Sequence, residues 1–204
     1  MRFVYFGYDF MLGSVEELKK NGHDLIGIFT FPCDNIFNFN TATHALAKSL
    51  NIPITETKAR PEDIESYLAA GAEIFFAAGY PYKIPPIDEE KAYGINLHPS
   101  FLPKGRGMMP TPTIIMSAPE AAGITIHKIT NRYDAGDIID QTPFTLDPKE
   151  TVDTYATRVA LTAPEMTARV FDDIKQYWMM AKPQNNTDST IFPTPDDDLS
   201  LIHI

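Results

Sequence analysis

The chain has a single cysteine, Cys33, in 204 residues. No internal disulfide can form, and no CxxC pair or Cys/His cluster marks a structural zinc site. A buried thiol is the reading left for Cys33. Basic residues are also scarce: 17 Lys and Arg stand against 27 Asp and Glu, a formal charge of -10. A phosphate backbone meets net repulsion from such a chain, which argues against bulk nucleic-acid binding and leaves room only for a local basic patch. No apolar run approaches the roughly 18 residues of a membrane span. The start "MRFVYFGYDFMLG" has one basic residue, an acidic Asp9 and no small-residue cleavage pattern, so a cytoplasmic protein without membrane attachment is expected. The close glycines of a dinucleotide-binding turn are missing too. In "GYDFMLG", Gly7 and Gly13 stand too far apart around bulky side chains, which argues against NAD or FAD. There is no internal repeat.

What is present suits one well-packed domain, with 44% hydrophobic residues. "RFVYFG" reads as a buried strand, "GSVEELKKNG" as a helix with Ser14 as N-cap and Glu17 three residues on, and "HDLIGIFTF" as a second strand. Thr41 is placed to cap "ATHALAKSLN", "IPIT" offers a short strand, and "PEDIESYLAAG" opens with proline in its first turn. "AEIFFAAG" and "GINL" follow as strands, then "GITIHKI" and "GDIIDQTPFTL" as an antiparallel edge pair. Strands alternating with helices imply an α/β protein with a mostly parallel sheet covered on both faces. A long helical stretch starts at Thr151, and Pro164 must end, kink or restart it. The segment "PQNNTDSTIFPTPDDDLSLIHI" reads as an arm laid over the domain, dividing the chain into a body of residues 1–181 and an arm of residues 182–204.

Candidate chemistry gathers at "GINLHPSFLPKGRG". Residues two apart on a strand share a face, so Asn96 and His98 present an amide and an imidazole together as the strand ends. Pro99 keeps His98 out of helical geometry, and Pro103, Gly105 and Gly107 shape the loop beyond. Ligands in open α/β sheets bind outside the carboxyl ends of parallel strands, where this reading puts His98; a satisfied structural histidine is the alternative. A second cluster, "YDAGDII", offers Asp134 and Asp137 around Gly136. A carboxylate from it beside His98 would orient the imidazole and favour its protonated form.

"NLHPSFLPKGRG" followed by "GITIHKI" and "DAGDII" resembles the N-formyltransferase family that uses 10-formyltetrahydrofolate. Methionyl-tRNA formyltransferase, glycinamide ribonucleotide transformylase and sugar N-formyltransferases belong to that family. The start of the chain, "ALAKSLNIPI", "FFAAGYPYKIP" and the tail "TIFPTPDDDLSLIHI" fit it in order. The resemblance implies a Rossmann-like fold and a catalytic trio of Asn96, His98 and Asp134. It implies a folate pocket between Tyr82, Lys83, Ile84 and Pro85 on one side and Asp134, Ala135, Gly136, Asp137 and Ile138 on the other, held by main-chain groups. A neutral amine would attack the formyl carbon, with Asn96 and a protonated His98 steadying the negative oxygen and Asp134 orienting His98.

The acceptor is less constrained. Methionyl-tRNA formyltransferases carry a second domain about where this chain stops, which with the acidic charge argues against tRNA. The tail looks closer to aminoarabinose and other nucleotide-sugar formyltransferases, so a sugar amine on a nucleotide is the leading acceptor. The run "RGMMPTPTIIM" departs from the sugar enzymes, which have a further basic residue and a tryptophan-containing helix there. Candidate acceptor contacts are Ser100, Lys104 and Arg106, the cations facing a phosphate or simply solvent. Phe37 and Phe39 could stack on a sugar or base or pack in the core. His127 reads as supporting architecture. Rival classes are a metal hydrolase using His98, His127, Asp134 and Asp137, a formyl hydrolase, and a folate-binding protein without transfer activity. "YWMMAK" is either core packing or a patch for a homodimer.

Overall fold

The computed structural model describes residues 1–34, 36 and 38–192. Seven strands form one sheet: β1 (Arg2–Gly7), β2 (Asp24–Phe29), β3 (Ile54–Thr55), β4 (Ile74–Ala78), β5 (Tyr93–His98), β6 (Gly123–Lys128) and β7 (Ile138–Pro143). Their order is β3-β2-β1-β4-β5-β6-β7. The first five run parallel, and β6 is antiparallel to both β5 and β7. The expected α/β architecture with an antiparallel edge is therefore present.

Among the described residues, six α-helices surround it: α1 (Leu12–Lys20), α2 (Thr41–Leu50), α3 (Pro61–Ala69), α4 (Pro110–Ser117), α5 (Val152–Asp172) and α6 (Ile174–Met180). They divide unequally between the faces. Phe3, Tyr5, Phe76, Ile95, Leu97, Ile124 and Ile126 meet α1, α4 and α5 in one large core. Each such side chain, fully withdrawn from water, contributes about 1.5–3 kcal/mol. The opposite residues Val4, Phe6, Phe75 and Ala77 form a smaller core under α3. Alternation along β5 then puts Asn96 and His98 on the α3 side, beyond the reach of that smaller core.

Local details correct the expectations at three places. Ser14 is not a cap: a 3-10 turn at Asp9–Met11 leads into α1 at Leu12, and Ser14 lies inside the helix. Burying Met11, Leu12, Val15 and Leu18 sets that start. Thr41 is the first residue of α2 rather than its cap. The Asp9 carboxylate takes the amides of Ala42 (3.0 Å) and Thr43 (2.8 Å) instead, a remote anion filling the role that a local side chain usually plays. Finally, α5 neither ends nor restarts at Pro164 and breaks only at Asp173. Its buried stripe of Tyr155, Val159, Ala163, Met166 and Val170 is continuous through the proline, and a Cβ on Gly13 of α1 would stand 3.7 Å from the Pro164 ring. The packing of the two helices holds the turn that an isolated helix would lose. Helix α4 was not anticipated, although Pro110 in its first turn is an ordinary start signal. Among the described residues, no helix is long and apolar enough to cross a membrane.

Candidate active site

The register between β5 and β6 sets Asn96 opposite His127 and His98 opposite Thr125. Directly paired residues share a face, so four polar side chains gather on the part of the sheet that α3 leaves uncovered. Thr125 anchors the loop after β5: its hydroxyl donates to the Ser100 carbonyl (2.7 Å) and accepts from the Leu102 amide (3.2 Å). The loop then turns back over the sheet and brings the Gly105 carbonyl within 2.8 Å of His98 Nε2.

A carbonyl only accepts, so Nε2 carries a proton and Nδ1 is the basic nitrogen of His98. Nδ1 faces Asp134 Oδ1 at 3.6 Å. Burial pushes the His98 pKa down from its ordinary value, and the Asp134 charge and the Gly105 carbonyl recover only part of it. The ring is thus neutral near pH 7, against the expectation of a standing imidazolium: the carboxylate favours the charged form as expected, and desolvation outweighs it.

His127 is equally defined. Its Nδ1 donates to the Lys128 carbonyl (2.9 Å), leaving Nε2 to accept from Asn96 Nδ2 at 3.0 Å. The same Nε2 lies 3.4 Å from Asp134 Oδ1, as does Asn96 Nδ2. Asp134 is thereby ringed by two imidazoles and an amide, while its Oδ2 accepts the Gly107 amide at 2.9 Å. Burial works to raise its pKa, but the attraction of His98 and His127 in their protonated forms and the Gly107 amide hold the carboxyl well below the usual range, so it is ionised. The Asp134 backbone is left-handed, φ +48°, a conformation that side-chain-bearing residues avoid and that surrounding contacts must hold.

Residues 16–171 match the family described as "Formyl transferase". The chain belongs to the formyl transferase family. The methionyl-tRNA formyltransferase of Coprothermobacter proteolyticus is 30% identical over 196 residues, a match covering 92% of this chain and 64% of that protein. The Thermotoga maritima enzyme of the same name is 28% identical over 204 residues, covering 95% and 64%. This family member therefore spans a little under two thirds of the curated relatives it matches. Among solved structures, an N-formyltransferase from Helicobacter canadensis in complex with folinic acid and dTDP-3-aminofucose has a TM-score of 0.71 at 20% identity, over 94% of this chain and 70% of that one. Phosphoribosylglycinamide formyltransferase from Anaplasma phagocytophilum has a TM-score of 0.69 at 21% identity, over 86% and 87%. These likenesses confirm the fold.

The three residues implied by the family resemblance, Asn96, His98 and Asp134, stand together. The acceptor candidates do not. Ser100 is fully buried and donates to the Lys104 carbonyl at 2.9 Å, so its hydroxyl shapes the loop rather than facing solvent. Arg106 is 4% exposed. Its Nε (3.1 Å) and Nη2 (2.7 Å) go to Gln184 Oε1, and Nη2 also reaches Asn186 Oδ1 at 3.1 Å. That fork is turned inward, neither open to a phosphate nor a solvated cation. Lys104 is partly exposed, with Nζ 3.9 Å from Glu120 Oε1, and lines a shallow hollow with Phe101, Pro103 and Asp188. Phe39 is half exposed, whereas Phe37 lies outside the described residues.

On the donor side, Ile84 is buried in the smaller core, and the Tyr82 ring is partly exposed and set edge-on to Tyr80 at 5.4 Å. The main-chain groups of Tyr82, Lys83 and Ile84 are bonded to nothing among the described residues. In the facing loop, the carbonyls of Asp134 and Gly136 are taken by Gln184, that of Asp137 by the Lys128 amide, and Ile138 exchanges two bonds with Lys182. The amides of Ala135, Gly136 and Asp137 have no partner among the described residues. Gly136 is obligatory there: a Cβ would lie 1.9 Å from the Lys128 carbonyl oxygen. Among the described residues, no three His, Cys, Asp or Glu side chains are arranged to hold a metal ion, and Asp137 sits on Lys128 (3.3 Å) instead of joining the histidines.

Sequence reading missed Gln184 altogether and placed His127 at the margin. The alternation of Thr125 and His127 carried the signal for the histidine; nothing local marks the glutamine.

Proposed function

We propose that this chain is an N-formyltransferase that moves a formyl group from 10-formyltetrahydrofolate to a primary amine. The observation that carries the reading is the cluster in which Asp134 meets His98, His127 and Asn96 within 3.6 Å. The donor fits the residues present. The free main-chain groups of Tyr82 to Ile84 and the free amides of Ala135 to Asp137 are suited to a flat, polar heterocycle, with Pro85 next along the first loop, while Ile138, its own main-chain groups taken by Lys182, would bound the second. When bound, the donor supplies a formyl carbon attached to a nitrogen that departs with the bonding electrons.

The side chains would divide the work. His98 Nδ1 is neutral and basic, so it takes the proton that the attacking amine loses and hands it to the departing nitrogen. Asp134, fixed as an anion beside it, steadies the imidazolium that forms in between. Asn96 keeps one N–H on His127 and holds the other at 3.4 Å from Asp134, a weak contact that an oxygen gaining negative charge can replace.

For the acceptor, we infer a nucleotide-linked amino sugar. The Helicobacter canadensis neighbour is described with dTDP-3-aminofucose, and the charge of -10 opposes a large polyanion. Methionyl-tRNA is the second reading, favoured by sequence relatives such as the Coprothermobacter proteolyticus enzyme at 30% identity. The deciding assay gives purified protein the donor with dTDP- and UDP-amino sugars, methionyl-tRNA, phosphoribosylglycinamide or no acceptor, and reads tetrahydrofolate release and formyl mass gain. Acceptor-dependent transfer is expected. Equal release without acceptor identifies a hydrolase, and binding without turnover a folate-binding protein; either outcome removes the transferase.

A further inference from the structure

The catalytic cluster rests on a residue from far along the chain. Gln184 follows α6, and its side-chain amide uses its whole hydrogen-bonding capacity. Nε2 donates to the carbonyls of Asp134 (2.8 Å) and Gly136 (2.7 Å), and Oε1 accepts twice from Arg106, at 3.1 and 2.7 Å. One side chain therefore ties the β6–β7 loop to the β5–α4 loop. These are the two loops that touch His98, through the Asp134 carboxylate and the Gly105 carbonyl.

The neighbouring segment grips the same place. Thr190 Oγ1 accepts from the Gly105 amide (2.8 Å), and the Arg106 backbone bonds to Thr190 (2.9 Å) and Phe192 (2.8 Å). A Cβ on Gly107 would collide with the Phe192 carbonyl at 2.5 Å, so this segment lies directly on the loop that supplies the amide to Asp134 Oδ2. The backbone of Asp134 is left-handed, a conformation Asp enters more readily than most side-chain-bearing residues but that still favours glycine, and the bond from Gln184 falls on that residue's own carbonyl. No substrate-facing role is left for an amide with all four positions filled.

We propose that Gln184 is the positioning residue of the transfer site: by locking the two loops together it fixes the Asp134 carboxylate against His98 and His127. The kinetic half of this proposal rests on the transferase reading above; the geometric half does not. Two substitutions separate the halves of the amide. Gln184→Glu keeps acceptors for Arg106 and loses both donors to the loop carbonyls, whereas Gln184→Met keeps the length and loses all four bonds. In both, Asp134 is freed while every side chain of the cluster remains.

The test reads the imidazole nitrogen and ring-proton NMR signals of His98 and His127 without any donor, alongside thermal melting and steady-state kinetics. Displaced ring signals are expected in both variants, with kcat lower by ~10-fold or more, since a misplacement of about 1 Å at a reacting group is enough for that loss. KM for the amine should stay within about twofold, because the donors Gln184 loses serve positioning and not acceptor binding. Unchanged ring signals in a folded Gln184→Glu protein overturn the proposal, as does an activity loss that simply follows the folded fraction. Should neither variant fold, Gln184 is a stability residue and the proposal fails. If the parent shows no transfer at all, the ring signals alone decide, so failure of the functional reading and failure of the clamp are told apart.

Discussion

Strand β5 has two faces with opposite fates. Ile95 and Leu97 point to the large core and are 0% and 1% exposed, packed with α5 residues such as Val159 and Val170. Asn96 and His98, each one residue away, point to the other face, where β5 and β6 have no helix above them but two loops. On the covered face the neighbours are mainly apolar side chains. On the uncovered face the loops offer carbonyls, amides and a carboxylate, and polar side chains find partners there. A buried polar residue without such partners would cost roughly 1–3 kcal/mol, so the polar cluster proposed as the site lies where loops, not helices, close the sheet.

Substitutions on the two faces should separate turnover from stability. The largest effect is expected for His98→Ala and Asn96→Ala, each lowering turnover by ~100-fold or more while the protein still melts cooperatively; a purified His98→Ala protein that releases tetrahydrofolate at the parental rate would sink the site. Leu97→Ala, on the same strand, should cost about 2–5 kcal/mol of stability and leave turnover per folded molecule nearly unchanged, read by urea unfolding and kinetics on one preparation. Next comes pH. His98 is held below its ordinary value by burial, so as pH falls below about 6.5 the unfolded chain takes up this proton first and stability declines until the lower folded value is reached. Asp134, held below the ordinary carboxylate value, adds a second loss as pH falls below about 4 toward its own folded value. Unfolding free energies across pH should show both slopes; His98→Gln should flatten the first, and an unaltered slope in that variant contradicts the assignment. The smallest effect belongs to Lys104→Ala, within about 0.5 kcal/mol, since its contact with Glu120 is long and exposed.

Much of the fold was legible because alternation and apolar runs are local. "GINLH" announced both faces of β5, and "GITIHKI" its antiparallel neighbour. Cap positions were less legible: α2 borrows Asp9 from 33 residues earlier, which no window over residues 40–44 contains. At the site, the pairing of Asn96 with His98 followed from strand geometry, whereas Asp134 came from family resemblance. The charge state of His98 was misread because a sequence shows the nearby carboxylate but not the depth of burial. Arg106 looked like a free cation in a glycine-flanked loop; its partner Gln184 lies 78 residues on, and only the folded chain brings the two together.

The two margins of the sheet carry one more consequence. At one side β3 is two residues long. At the other, β7 gives its first residue to Lys182, holds Asp140 in an ion pair with Arg169 at 2.7 Å, and ends at Pro143, which has no amide to offer. Among the described residues, neither rim presents a row of idle backbone groups long enough to recruit a strand from another molecule. The sheet's growth ends within its own chain, so crowding in a concentrated solution meets charge, proline and a brief edge where a longer, plainer strand would have invited fibrous stacking.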